Sequence, residues 1–309
     1  MKKILGYGLG VLVVAAVLMA AFYAFFPGAA FELAKDMQRR AAGLATKEIQ
    51  IGDHRIVYLE GGEGEPVILL HGFGGNRDHW TAFARHLKDR HLVIPDIPGF
   101  GESSRWLTAS YDIESQVERI DRFAEALGLE TFHMAGNSMG GALAAAYAAR
   151  YPEKVLTLAL MNPAGAPSPN KSDFVIEIEK GNNPLFSDDP EDFDKLIAMI
   201  FSDKPIIPAP FRKIMAAEWA ASSDFNRKIW KDMEPHRLTL VPVLPQIQAP
   251  VLVIWGEQDN VLDVGGVAFL ETYLKNSRTI VMEDTGHCPM IEKPEETADI
   301  YGRFLREKG

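Results

Sequence analysis

Cysteine is almost absent: of 309 residues, only Cys288 carries a thiol. No intrachain disulfide can form, so the fold must be held by its own core. Beside His287, Cys288 is expected to be a small buried residue rather than a nucleophile. Positive charge is also scarce. Thirty-two Lys and Arg against 42 Asp and Glu leave a net charge of −10. Phosphate backbones require a basic face, so nucleic acid is excluded as a partner, and simple electrostatic docking on anionic lipid is disfavoured. HExxH spacing is missing, as are a His/carboxylate cluster of metal-ligand type, a Walker loop and a dinucleotide fingerprint behind a strand. Neither metal nor cofactor is expected. There is no repeat and no low-complexity stretch. The composition, 47% hydrophobic and 24% charged, suits one large α/β domain carrying an insertion.

One long hydrophobic run does occur. Positions 4 to 26, Ile4 through Phe26, hold 23 residues without a charge. As a helix they would span about 35 Å, slightly more than a hydrocarbon core of ~30 Å. Phe22, Tyr23, Phe25 and Phe26 gather at its end like an interfacial belt, and Pro27-Gly28 stops it. Residues 1–30 are therefore expected to be an N-terminal transmembrane anchor, making the membrane a partner. A cleaved signal peptide is the competing reading, with Lys2 and Lys3 as its basic end, but the run exceeds the usual apolar length of about 7–15 residues. Lys35, Arg39 and Arg40 balance Lys2 and Lys3 across the span, leaving its orientation open. Residues 31–45 predict an amphipathic juxtamembrane helix.

From about Lys47 the pattern changes. Glu48–Ile51 and Arg55–Leu59 alternate around Gly52-Asp53 and predict a hairpin. Six short apolar runs follow: Val67–Leu70, Leu92–Ile94, Phe132–Ala135, Val155–Leu160, Val251–Ile254 and Thr279–Met282. Between them Asp78–Leu87, Ile113–Leu127, Ser138–Arg150 and Val267–Leu274 carry helical periodicity. This alternation predicts an α/β fold with a mostly parallel sheet covered on both faces. Residues 166–240 break it, with no strand, several prolines, and short helices near Pro190–Phe201 and Phe211–Met233. The expected organisation is a core of 46–165 and 241–309 with a helical lid at 166–240, above the strand ends where open parallel sheets bind ligands.

The strongest chemical signal is Gly136-Asn137-Ser138-Met139-Gly140-Gly141, between the strand Phe132–Ala135 and an alanine-rich helix. A GxSxG in that context is a nucleophile elbow, with Ser138 at a helix N-terminus. A second is His71-Gly72-Phe73-Gly74-Gly75, directly behind the strand Val67–Leu70. Its glycines suit a bend that turns amides toward the sheet's upper edge, so Phe73 and Met139 N–H are assigned as oxyanion donors. His71 is expected to hold that loop, and Asp96 and Glu102 of the next glycine-rich turn to be satisfied locally. Trp255-Gly256-Glu257-Gln258-Asp259 and Gly286-His287 each follow a late strand. The order Ser138, Asp259, His287 then reads as nucleophile, orienting acid and base; Glu257, Asp263 and Asp284 are rivals for the acid.

Taken together, HGFGG, DIPGFGES, GNSMGG, WGEQD and TGH resemble the α/β-hydrolase superfamily from Lys47 onward. The N-terminal span, Arg39–Leu44, Ile113–Arg119, Asn162-Pro163-Ala164-Gly165 and Gln258–Gly266 make the chain similar to membrane-anchored monoacylglycerol lipases and related bacterial lipases and esterases. The resemblance implies an α/β-hydrolase fold with a helical lid and hydrolysis of monoacylglycerols or similar lipid esters. A serine at the elbow speaks against dehalogenase and epoxide chemistry, which place aspartate there. Two alternatives stay open: a carbon–carbon bond hydrolase of the same fold, and a non-catalytic binding module.

Overall fold

The computed structural model describes residues 21–233 and 239–308. Eight strands form one sheet: β1 (Leu44–Ile51), β2 (His54–Gly61), β3 (Pro66–Leu70), β4 (His91–Pro95), β5 (Phe132–Asn137), β6 (Val155–Met161), β7 (Val251–Gly256) and β8 (Ser277–Met282). Their spatial order is β1-β2-β4-β3-β5-β6-β7-β8. The β1/β2 and β2/β4 pairs are antiparallel, and every other pair is parallel.

The central strands are apolar throughout because both faces are covered, as the parallel pattern requires. Alternate residues go to opposite sides. Ile68, Leu70, Met134, Leu158, Leu160 and Val253 join one core layer, beneath the helices Ile113–Ala126 and Met139–Arg150. Val67, Leu69, Ala135, Ala159, Met161 and Leu252 join the other, beneath the helix Pro294–Lys308. In the helix Met139–Arg150, Ala142, Ala144, Ala145 and Ala148 are buried. Such small side chains let its axis lie close to β5 and β6.

The strands are longer than the alternation suggested, and the hairpin begins earlier. The helix expected at 31–45 instead runs Pro27–Ala41, with Pro27 as its first residue. Gly43 at φ 73° ends the turn and Leu44 already starts β1. The backbone explains the shift: proline is preorganised for a helix start, and glycine supplies the left-handed residue after its end. Of the anchor expected at residues 1–30, positions 1–20 lie outside the described residues, and 27–30 belong to the helix Pro27–Ala41. Residues 21–25 are helical, and among the described residues no helix is long and apolar enough to cross a membrane.

Between β6 and β7 the described residues contain helices and no strand, namely Asp173–Glu179, Phe193–Ile200, Ala209–Ala221 and Ser223–Met233. The first of these carries no helical signal strong enough to read in the sequence. Ser172 caps it, accepting from the Val175 amide and donating to Val261 O at 2.7 Å. On the other side Ile229 and Met233 enter the main core, and Lys228 donates to Ala109 O at 2.7 Å.

The loops above the sheet are held by buried charge. Asp96 at the end of β4 accepts from the Arg77 amide at 2.7 Å and the Glu102 amide at 2.7 Å, and also from the Arg77 guanidinium. Ser103 Oγ donates to Asp96 O at 2.7 Å, and Arg77 also meets Glu102 at 2.6 Å. Asp96 finds part of its satisfaction within the turn, as the sequence suggested, but the partner it shares with Glu102 is Arg77, from the loop after β3. Arg77 is 2% exposed and Asp96 0%, so without the Asp96 charge the buried guanidinium would keep only the exposed Glu102 carboxylate as its partner. We expect Asp96→Asn to lower the unfolding free energy by about 3–5 kcal/mol, measured by urea denaturation; a loss below about 1 kcal/mol would refute this brace.

Candidate active site

Ser138 stands between β5 and the helix Met139–Arg150 with φ 55° and ψ −120°, a conformation L residues adopt only under constraint. Its amide donates to Met161 O at 3.0 Å, and its carbonyl accepts from Ala142 at 3.1 Å and Ala164 at 3.0 Å. The glycines make the turn possible. A Cβ on Gly136 would fall on the Gly140 carbonyl, and one on Gly140 would fall on the Leu70 carbonyl. Met139, the first helical residue, is buried and, like any first helical residue, has an amide without an intrahelical acceptor.

The loop His71–Gly75 runs against this elbow: a Cβ on Gly72 would sit 3.2 Å from Ser138 Cβ. His71 holds the loop from beneath. Its Nδ1 donates to Gly72 O at 2.8 Å, and its Nε2 accepts from the Ile97 amide at 3.0 Å. That pairing fixes the neutral tautomer, and burial pushes the imidazole down to about 4. At neutral pH His71 is therefore an uncharged brace. The Phe73 ring contacts Phe100 at 5.3 Å and Trp230 at 5.8 Å between centroids, and Trp230 in turn meets Phe174 at 6.3 Å and Phe186 at 6.4 Å. The inter-strand helices thereby close an aromatic layer over the glycine-rich loop.

Asp259 and His287 come together from the loops after β7 and β8. His287 Nδ1 lies 2.8 Å from Asp259 Oδ2, with both side chains buried. The carboxylate is saturated with donors. Oδ1 accepts from the Val261 amide at 2.8 Å and the Leu262 amide at 2.9 Å, and Oδ2 also accepts from Asn162 Nδ2 at 2.7 Å. With Nδ1 donating to the carboxylate, Nε2 is the nitrogen free to accept a proton. The rivals are engaged elsewhere. Asp263 accepts from Ser168 Oγ and the Gly265 amide, exposed Asp284 accepts from Gln258 Nε2 at 3.0 Å, and Glu257 is exposed.

The elbow and the histidine loop are stitched together by Asn137, the residue before Ser138. Its Nδ2 donates to His287 O at 2.9 Å and Met161 O at 3.1 Å. Cys288 lies against Asn137 Oδ1 at 3.7 Å, and burial pushes its thiol well up, so it stays protonated. Among the described residues, no three His, Cys, Asp or Glu side chains are grouped as metal ligands.

A residue whose role the sequence does not disclose is Asn162, just past the end of β6 with φ 45°. Its amide nitrogen reaches both Asp259 Oδ2 and Gly286 O, the latter at 3.3 Å, so one side chain spans the acid and the histidine loop. The available signal was an asparagine at a strand end, a residue that tolerates the left-handed region.

Known proteins share this fold. Residues 65–204 and 211–294 match the family of the alpha/beta hydrolase fold. Lipase 1 of Psychrobacter immobilis is 37% identical over 273 residues, which cover 86% of each chain. Monoacylglycerol lipase abhd6-B of Xenopus laevis is 31% identical over 311 residues, covering 96% of this chain and 92% of that one. Among solved structures, a membrane phospholipase A described as a bacterial virulence factor is 42% identical, superposes with a TM-score of 0.90 and covers 99% of both chains. The chain belongs to the α/β-hydrolase family and is a hydrolase of its lipase and esterase type.

Proposed function

We propose that this hydrolase cleaves acyl esters of glycerolipids, monoacylglycerols foremost, with Ser138 as nucleophile, His287 as base and Asp259 as orienting acid. The observation that carries the reading is the buried 2.8 Å pair of His287 and Asp259, tied through Asn137 to the elbow that presents Ser138. His287 Nε2 takes the Ser138 proton as Oγ attacks the ester carbonyl, and Asp259 holds the tautomer and stabilises the imidazolium. The Phe73 and Met139 amides receive the oxyanion, where one such donor contributes about 3 kcal/mol to the transition state. His287 then protonates the leaving alcohol and activates water against the acyl-enzyme, releasing the fatty acid. The helices of residues 166–240 serve as a lid, and the aromatic layer of Phe73, Phe174, Phe186 and Trp230 suits a greasy acyl chain. That the relatives include a monoacylglycerol lipase and a membrane phospholipase A supports a glycerol ester as substrate.

In the same reading, the segment expected as an anchor at residues 1–30 holds the enzyme to a membrane through its apolar run. The support is the uncharged run Ile4–Phe26, whose last two residues, Phe25 at 78% exposure and Phe26 at 61%, face outward. Tyr23 and Phe31 both pack on Phe211 of the helix Ala209–Ala221, with centroids 5.4 and 5.3 Å apart, so the end of the apolar run meets the lid directly.

Ser138→Ala should abolish ester hydrolysis and fluorophosphonate labelling while leaving the circular dichroism spectrum and melting temperature unchanged; an equally active variant would refute the nucleophile. Asp259→Asn should lower turnover by about 10⁴ through the wrong imidazole tautomer, read as kcat on a p-nitrophenyl ester. Near-wild-type turnover would pass the acid's role to Asp263 or Asp284. For the anchor, the full chain should stay with bilayers after an alkaline carbonate wash, and a chain lacking residues 1–20 should appear in the supernatant. Release of the full chain would overturn that assignment.

A further inference from the structure

The loop that carries His287 is held by an acidic residue that the reaction does not use. Glu292 lies five residues after His287, at the end of a single turn Pro289–Glu292. Its carboxylate reaches back over the loop. Oε1 accepts from the Gly286 amide at 3.0 Å and the Cys288 amide at 3.2 Å, so it takes the N–H on either side of His287. Oε2 accepts from Gly286 at 3.0 Å and from the Ser202 amide at 2.9 Å. Ser202 belongs to the inter-strand helical segment, two residues beyond the helix Phe193–Ile200.

A second link crosses the same seam. The His287 amide itself donates to Ile200 O at 2.8 Å. Three consecutive amides of the histidine loop are thus committed: two to Glu292, and one to the last helical residue of the segment. The contact leaves no slack. A Cβ on Gly286 would lie 2.6 Å from Ile200 O and 2.7 Å from Ser202 N. A carboxylate is the suitable acceptor here because it offers lone pairs for several N–H donors at once and has no hydrogen to present against them.

We propose that Glu292 is a positioning residue that clamps the segment Ile200–Ser202 to the His287 loop, so that the imidazole is aligned only while the segment is seated. The proposal rests on the reading of His287 as the base. It makes the helical segment more than a cover for the acyl chain, because displacing its Ile200–Ser202 end removes an acceptor from His287 and a donor from Glu292 together. Catalysis is sensitive to such shifts, since misplacement by about 1 Å can cost about a hundredfold in rate.

The test uses the full chain with Glu292→Gln, which keeps the shape but puts an NH2 in place of one oxygen, so that its hydrogens oppose either the Gly286 and Cys288 amides or the Gly286 and Ser202 amides. Hydrolysis of p-nitrophenyl acetate and p-nitrophenyl dodecanoate is measured per site titrated to its endpoint with a fluorophosphonate. We expect kcat per titrated site to fall about 10- to 100-fold on both esters, with KM within about twofold. Gly286→Ala drives the same seam apart from the other side and carries the test should the first variant fail to fold. It should produce the same split between kcat and KM, and the double variant should fall little further than either single one. An unchanged kcat per titrated site would reduce Glu292 to a stability brace. A loss confined to dodecanoate would assign it to acyl-chain contacts, and additive losses would separate it from the seam; each result overturns the proposal. His287→Ala serves as the control. If it retains turnover, the assignment of the base fails. If it is inactive while the Glu292 and Gly286 variants match wild type, the clamp alone fails.

Discussion

The backbone at Ser138 is the constraint around which the upper edge of the sheet is arranged. A non-glycine residue at φ 55° persists only where its surroundings over-determine it. Here they do so from four directions. Met161 of β6 accepts its amide, Ala142 and Ala164 donate to its carbonyl, and the glycine-rich loop after β3 presses against its side chain. The close approach of two backbones excludes side chains at Gly136 and Gly140, so the elbow's sequence is dictated by space as much as by torsion angles. Release of the strain would withdraw the hydroxyl from the helix N-terminus, where the dipole favours developing negative charge.

Three buried or half-buried carboxylates then organise the three loops that converge on that point. Asp96 gathers the amides of Arg77 and Glu102, Asp259 those of Val261 and Leu262, and Glu292 those of Gly286, Cys288 and Ser202. Loop amides buried away from water must find acceptors, and an ionised carboxylate satisfies several at once. The same physics therefore serves different ends. Asp96 is neutralised by Arg77 and acts only as a brace. Asp259 accepts two amides on one oxygen and keeps the other for Asn162 and His287, which makes it rigid and leaves it acceptor-only toward the imidazole.

What the sequence disclosed follows from the range over which each signal acts. The elbow, the glycine-rich loop and the strand–helix alternation are local patterns, so the family, the parallel sheet and the pairing of Asp259 with His287 were legible. Asp259 was singled out by its place on the loop just past a strand, and the hydrogen bond from His287 is what distinguishes it from Glu257 in the structure. Asn162 and Glu292 escaped because their meaning lies in partners far along the chain. Asn162 reaches a carboxylate 97 positions away, and Glu292 an amide 90 positions away. Strand β1 began earlier than expected because it is the edge of the sheet. Most of its side chains face solvent, so Ala45, Thr46 and Lys47 carry no alternation to read. Pro27 was legible as a helix stop, while its second role, starting the next helix, became visible only in the backbone.

The N-terminal helix ties these parts into one body. Arg39 of Pro27–Ala41 is buried and forms a two-pronged pair with Asp78, Nε to Oδ1 at 2.7 Å and the terminal nitrogen to Oδ2 at 2.6 Å. Asp78 directly follows Arg77, the residue that braces Asp96 and through it the turn beside the glycine-rich loop. Phe31, two turns earlier on the same helix, packs on Phe211 of the inter-strand segment. The helix therefore grips both the sheet body and the helices above it. Guanidinium–carboxylate geometry of this kind resists rotation, because two parallel bonds fix the plane of each partner. If the apolar run that precedes Pro27 is seated in a bilayer, as we propose, the orientation of the whole catalytic body toward the membrane is set by one helix. The residue that transmits it is Arg39, one of the few charged side chains among the described residues buried as deeply as the core.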